Sequence, residues 1–294
     1  MSTSPGAARL FILGAALLFS TGGAAIKGTT LSAFQVAGFR SAVAALALVL
    51  LLPEARRGFS RGLLPAALAY AATLVCFVAA TKLTTSAAAI FLQSTAPIWV
   101  LVLSPLVLGE RVHRRDLPFV GLAAIGLLLV FLGSRDPAAT APQPGLGNAI
   151  ALASGLAYAF LMMTMRRLAR AGDGQDRSMP AIVLGNALAF AVCLPFSLPV
   201  IGATAGDAFS IGYLGVVQIG LAYWLFNRGL KVLRAIEVSL LALLEPVLNP
   251  LWTWLVHDER PSPLALTGGT VMLAALAARA LLDRAPASAA TPPA

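Results

Sequence analysis

The feature that most constrains this chain is its long stretches without charge. Residues 63–81 contain no Asp, Glu, Lys or Arg, and neither do residues 83–109. A helix rising about 1.5 Å per residue crosses a hydrocarbon core in roughly 18–20 residues, so each stretch is long enough to span a bilayer. Hydrophobic residues make up 59% of the chain and charged residues 11%, with a mean hydropathy of +0.85. A soluble domain carries roughly 25% charged residues, so this chain has too few to cover a globular surface in water. The reading is an all-α membrane protein.

Ten candidate spans follow, at residues 8–26, 33–52, 63–80, 87–108, 117–132, 146–165, 180–200, 211–230, 236–256 and 264–282. The connections carry the charges, prolines and glycines that loops need. The longest, residues 133–145, contains Asp136-Pro137, Ala141-Pro142 and Gln143-Pro144-Gly145 and reads as a linker between halves. Arg9 precedes an apolar stretch, but no Ala-x-Ala site follows, so the first span is expected to stay in the protein.

The net charge of +9 raises the question of a nucleic-acid partner. The basic residues sit in short clusters between apolar stretches, without the basic patch and interleaved aromatics that such binding needs, so none is expected. They orient the chain instead. Of 21 Lys and Arg, only Lys27, Lys82, Arg135 and Arg260 fall on the side away from the N-terminus, and Arg40 falls within a span. All the others lie on the N-terminal side. By the positive-inside rule both termini are cytoplasmic, as expected for a bacterial inner-membrane protein with an even number of spans. Cys76 and Cys193 lie within apolar stretches, lack ligand spacing and read as small buried hydrophobes.

A displacement of 149 positions superposes several features. Lys82 falls on Lys231, Phe77 on Phe226, Pro97 on Pro246, and Glu110–Arg111 on Glu259–Arg260. Each half then holds five spans, an odd number, so the two halves should be inverted relative to each other. Inverted repeats are a recurrent architecture of secondary transporters, with the substrate site at mid-membrane. The expected organisation is a first repeat at 1–134, a linker at 135–145, a second repeat at 146–284 and a cytoplasmic tail at 285–294.

The segment Ser94-Thr95-Ala96-Pro97, followed by Leu108-Gly109-Glu110-Arg111, resembles the fourth-helix signature of the EamA-type branch of the drug/metabolite transporter superfamily. Gly38-Phe39-Arg40-Ser41-Ala42 resembles the second-helix arginine motif of the same repeat. More narrowly, the chain resembles the YddG-type bacterial amino-acid exporters. The second repeat departs from the pattern, with Asn186 in place of an arginine and Glu245-Pro246 in place of Ala96-Pro97. The resemblance implies a ten-helix basket around a central cavity lined by helices one, three, four, six, eight and nine. It also implies export of amino acids or similar metabolites.

The residues within the spans point the same way. Pro97 and Pro246 have no N–H for the carbonyls of Gln93 and Ala242, and such orphan groups survive in a membrane only inside protein or beside water. Both are read as hinges, the alternative being static packing kinks. Gln93, Trp99, Tyr158, Met162, Tyr223, Glu245 and Asn249 form the candidate substrate site, because aromatics, a thioether and a few polar groups suit an amphipathic organic solute. Glu245, at membrane depth, is a candidate for proton coupling, for binding a substrate ammonium or for pairing with a buried cation. Arg40 is read as a structural charge. Trp252 and Trp254 read as interface anchors, and Glu259–Arg260 as a loop element.

Other classes fit less well. An intramembrane enzyme needs a catalytic pair within spans and none is present. There is no filter-like loop for a channel and no Walker motif for direct ATP coupling. The function expected is a secondary transporter that exports amino acids or related metabolites by alternating access. The alternatives are a multidrug carrier, a carrier of another metabolite such as a nucleotide sugar, or a channel. No cofactor or metal is expected. The partners are a small-molecule substrate and the lipid bilayer, and a monomer is compatible with the sequence.

Overall fold

The computed structural model describes residues 4–109, 117–134, 136, 138–170, 177–233, 238 and 241–282, without the side chains of residues 169, 170 and 280. The sequence features at Glu110–Arg111, Arg114, Arg115, Arg135, Arg234, Glu237 and the 285–294 tail lie outside the described residues, as does most of the ninth span's first part.

Every named element among the described residues is helical, and the helices follow one another as ten rods. The first rod is α1 (Pro5–Ser20) and α2 (Gly22–Lys27), the second α3 (Ala33–Leu51) and the third α4 (Leu64–Leu83). The fourth is α5 (Ser86–Gln93) and α6 (Ala96–Val107), and the fifth α7 (Leu117–Gly133). The sixth is the long α8 (Pro144–Arg170) and the seventh α9 (Ser178–Ser197). The eighth joins α10 (Ala205–Gly212), a π-helical segment (Tyr213–Leu221) and α11 (Ala222–Leu230). The ninth is described as α12 (Leu244–His257) and the tenth is α13 (Pro263–Leu282).

Among the described residues, seven rods are long and apolar enough to cross a membrane, while Leu117–Gly133 and Pro263–Arg279 are shorter apolar helices. The outward surface is correspondingly apolar: Leu10, Leu51, Leu106, Ile201 and Phe209 are all exposed. Such a band would be a liability in water and is the expected solvent-facing layer in lipid. The protein is a multi-pass membrane protein.

Caps terminate the backbone where lipid would punish an orphan N–H. The Ser32 hydroxyl accepts from Gln35 N while the Gln35 side chain accepts from Ser32 N. Thr85 caps α5 through Ala88 N, and Thr204 and Asp207 form a second reciprocal box. Around these starts, side chains tie successive turns together. Asp207 accepts from Thr30 N and Oγ1, both at 2.7 Å. Lys82 Nζ donates to Thr29 O and Oγ1, and Ser262 Oγ donates to Gly133 O. The turns leaving α2, α4, α7, α9 and α12 therefore lie at one end of the bundle, as alternating up-and-down rods require.

The rods also pair in a regular way. The first packs on the eighth, the sixth on the third, the second on the seventh, the fifth on the tenth, and α5 of the fourth on α12 of the ninth. Exchanging the two sets of five rods leaves this set of pairs unchanged. The core between them is built of small residues, including Ala37, Ala80, Ala87, Ala88, Ala89 and Ala151, which let helices approach closely where lipid offers little hydrophobic drive.

Candidate functional site

Four rods are irregular at mid-length, and the candidate site residues gather there. The fourth turns at Ser94–Thr95 between α5 and α6, two residues before Pro97. Ser94 Oγ bonds back to Ile90 O at 2.8 Å and Thr95 Oγ1 to Leu92 O at 2.6 Å, each a second bond to a carbonyl that already accepts a backbone N–H at the turn. The ninth turns at Leu243, three residues before Pro246. Leu243 lies 149 positions after Ser94, so the break repeats at the same displacement as the prolines. The first rod breaks at Thr21, and the eighth carries the π-helical segment opposite it. Thr21 Oγ1 and Tyr213 OH lie 2.8 Å apart, and Gln218 Nε2 donates to Phe19 O at 3.3 Å. Non-α turns of this kind commonly mark functional sites.

Aromatic rings line the space between these breaks. Tyr70 and Tyr223 have ring centroids 5.8 Å apart, and the Phe19 ring meets the Tyr223 ring edge-on at 5.0 Å. Asn186 Nδ2 donates to Tyr70 OH at 3.2 Å. Tyr158 lies within electrostatic reach of Tyr70 and Glu245, and Tyr223 within reach of all three. Tyr158 is nevertheless 37% exposed and Met162, one turn further along α8, is 38% exposed. A tyrosine that is interior by its neighbours yet open by its surface faces the inside of the bundle. Glu245 is half-buried in the same region, in the first turn of α12, and no salt bridge to it is present among the described residues.

Gln93 closes the floor of this region. Its Nε2 donates to Ser154 Oγ at 2.7 Å, and Ser154 Oγ donates to Thr73 O at 3.0 Å, joining rods three, four and six. Gly155 makes that approach feasible, since a Cβ there would sit 2.7 Å from Thr95 Oγ1 and 3.0 Å from Leu92 O. Trp99 is half-buried in α6, with its buried indole nitrogen lacking a hydrogen-bond partner among the described residues.

Arg40 is 1% exposed and lies within electrostatic reach of Tyr70 and Tyr223, and its Nε has no hydrogen-bond partner among the described residues. It stands behind the tyrosine pair rather than beside an acid. Asn249 is fully buried away from the tyrosines: its Oδ1 accepts from Ser86 Oγ at 2.5 Å, between α12 and α5. The structure thus brings Tyr158, Tyr223 and Glu245 to one region, holds Gln93 at Ser154, one turn of α8 before Tyr158, and packs Asn249 against α5.

The end of the bundle beyond Asn249 holds what the sequence reading missed. Glu259, read as a loop element, is buried and pairs with Lys27 at 2.8 Å. Trp252, read as an interface anchor, donates from Nε1 to Ser20 Oγ at 2.9 Å, whereas Trp254 is exposed. His257 Nε2 lies 2.8 Å from Ala24 O. One signal for Glu259 was present: Lys27 is an isolated cation on the side that carries almost no other positive charge.

The EamA-like transporter family model matches this chain twice, at residues 7–132 and 145–278. The chain belongs to the EamA-like transporter family. It is similar to an uncharacterized transporter of Archaeoglobus fulgidus, 30% identical over 202 residues that cover 69% of this chain and 70% of that one. It is also similar to the pseudopaline exporter CntI of Pseudomonas aeruginosa, 27% identical over 268 residues, 89% of this chain and 91% of the exporter. A solved crystal structure, 20% identical, has the same fold, with a TM-score of 0.64 across 96% of this chain and 99% of that one. The protein is a membrane transporter of small metabolites.

Proposed function

We propose that this transporter exports amino acids or related small metabolites from the bacterial cytoplasm by alternating access, using ten spans arranged as two inverted repeats. The observation that carries the reading is the Glu245–Tyr158–Tyr223 cluster. A carboxylate without a salt bridge among the described residues, held among phenol rings at membrane depth, is a receptor for an ammonium-bearing organic solute. The inverted arrangement is supported by the self-consistent rod pairing, by the repeated break at Ser94 and Leu243, and by the two family matches. The cytoplasmic termini and inner-membrane location rest on the distribution of Lys and Arg. Export, rather than uptake, is favoured by the similarity to an exporter along most of the chain.

In this reading Gln93, Trp99, Tyr158, Met162 and Tyr223 line the solute path and Glu245 recognises its charge. Arg40 stands behind Tyr70 and Tyr223 and biases their hydroxyls toward donating. Asn249 joins the two hinge-bearing rods, and amino-acid export in the manner of the YddG-type exporters is part of this proposal. The test is counterflow in proteoliposomes against amino acids, nucleosides and cationic drugs, with and without a pH gradient. Saturable exchange of an amine-bearing metabolite is expected. Transport confined to neutral nucleosides would overturn the substrate assignment, and flux without saturation would indicate a channel.

A further inference from the structure

We propose that the buried Lys27–Glu259 ion pair is the latch that holds one end of this transporter closed and that it parts in each transport cycle. The inference rests on the alternating-access reading above. Lys27 ends the first rod, in one half of the chain, and Glu259 follows the ninth, in the other. Their side chains are 5% and 2% exposed and 2.8 Å apart.

The pair is fully engaged. An ammonium has three donors, and Lys27 uses them on Glu259, on Thr84 O at 2.9 Å and on Thr140 O. Glu259 Oε1 accepts from Ser86 N at 2.6 Å. One cation therefore gathers the turn between rods three and four, the link between the two halves and the exit of rod nine. Directly inside it, Gly23 of α2 lies against Ser86 and Asn249, leaving no room for a side chain. The end of the bundle that charge distribution assigns to the periplasm is thereby shut.

Burying such a pair does little for net stability, because the desolvation of two charges offsets most of their attraction. That near-balance is what a latch needs. When the end opens, both groups regain water, so the open and closed states stay close in free energy, as alternating access requires. An apolar plug of the same size would be held shut by the full cost of wetting it. Removing one partner changes the balance sharply, since the remaining charge is buried without its counter-ion and is relieved only by opening.

This gives a signature that a merely structural pair would not show. Lys27→Met and Glu259→Gln should each open the end, whereas the double neutral variant should close it again. A cysteine at fully buried Thr253 reports the opening, with Cys76 and Cys193 replaced by serine and a membrane-impermeant maleimide applied from the periplasmic face. Labelling should rise on the order of tenfold in each single variant. It should return to the parent level or below in the double variant. The double variant, held shut, should also show reduced turnover.

Single variants that label like the parent, or a double variant that labels as strongly as the singles, would overturn the latch. If one single variant is not recovered folded, the other decides against the double variant, and labelling there like the parent's overturns it. Labelling does not depend on any solute moving. A parent protein that transports nothing would sink the functional reading while the latch result stood on its own.

Discussion

Ser86 Oγ donates to Asn249 Oδ1 at 2.5 Å, which ties the first turn of α5 to the middle of α12 with both side chains fully buried. The bond joins the two rods that carry Pro97 and Pro246, and it does so only on the side of their breaks that faces the latch. Asn249→Ala would leave the Ser86 hydroxyl unpaired in the core. A buried unpaired group costs about 1–3 kcal/mol, so the detergent-solubilised variant should unfold several degrees earlier than the parent. An unchanged unfolding midpoint would show that the bond contributes nothing.

Gly23 is packed against that same bond. A Cβ at Gly23 would lie 2.0 Å from Ser86 Oγ and 2.7 Å from Asn249 Oδ1, so Gly23→Ala must displace the hydrogen-bonded pair. Overpacking of this kind costs about 1–3 kcal/mol, charged here to the closed state. Increased periplasmic labelling of the Thr253→Cys reporter and slower transport are expected. Gly212 is the control: it is also helical but has nothing within 4 Å of its would-be Cβ, so Gly212→Ala should leave both readouts unchanged.

The helical membrane class was legible because uncharged stretches of span length leave a chain few alternatives, and the positions of the breaks were legible because proline cannot donate. The tyrosine region was partly legible: Tyr158 and Met162, four residues apart, share an exposed face. Glu259 and Trp252 were not, because a charge or an indole near a span end looks the same from sequence whether it meets water or a partner from the other half. Nor did sequence separate Asn249 from Glu245. The two lie four positions apart on one helix, but one meets a serine of α5 and the other the tyrosines, and that difference is made by tertiary packing. The break at Thr21 and the π-helical segment carry no proline and left no local mark.

Glu245→Gln keeps the shape of the side chain and removes its charge. If the carboxylate receives a substrate ammonium, KM for amine-bearing solutes should rise by roughly tenfold or more, the loss expected for a hydrogen bond to a charged group. Neutral competitors should be unaffected, and the dependence of the parent's transport on pH should flatten. Counterflow measured across a pH series checks all three outcomes. An unchanged KM and an unchanged pH profile would remove Glu245 from the solute path.

The remaining prediction concerns the hinges. In the fourth rod, Pro97 occupies the second position of α6, directly after the turn at Ser94–Thr95. In the ninth, Pro246 occupies the first turn of α12, directly after Leu243. A proline in the first turn of a helix is unstrained and at the same time prevents the preceding segment from continuing through it. The fourth rod is thus two short helices joined by a turn, the ninth turns at Leu243 within its described residues, and bending at either turn breaks no intact ladder. On the latch side of these turns α5 packs on both α12 and α8, and beyond them α6 also packs on α8. Movement at the Leu243 turn can therefore part α12 from α5 while α5 and α6 keep their packing on α8. Pro97→Ala/Pro246→Ala restores the missing donors and favours continuous, stiffer helices. Solute affinity should survive, turnover should fall, and labelling of the Thr253→Cys reporter should become insensitive to added substrate. Full turnover with substrate-dependent labelling in the double variant would reduce both prolines to packing kinks.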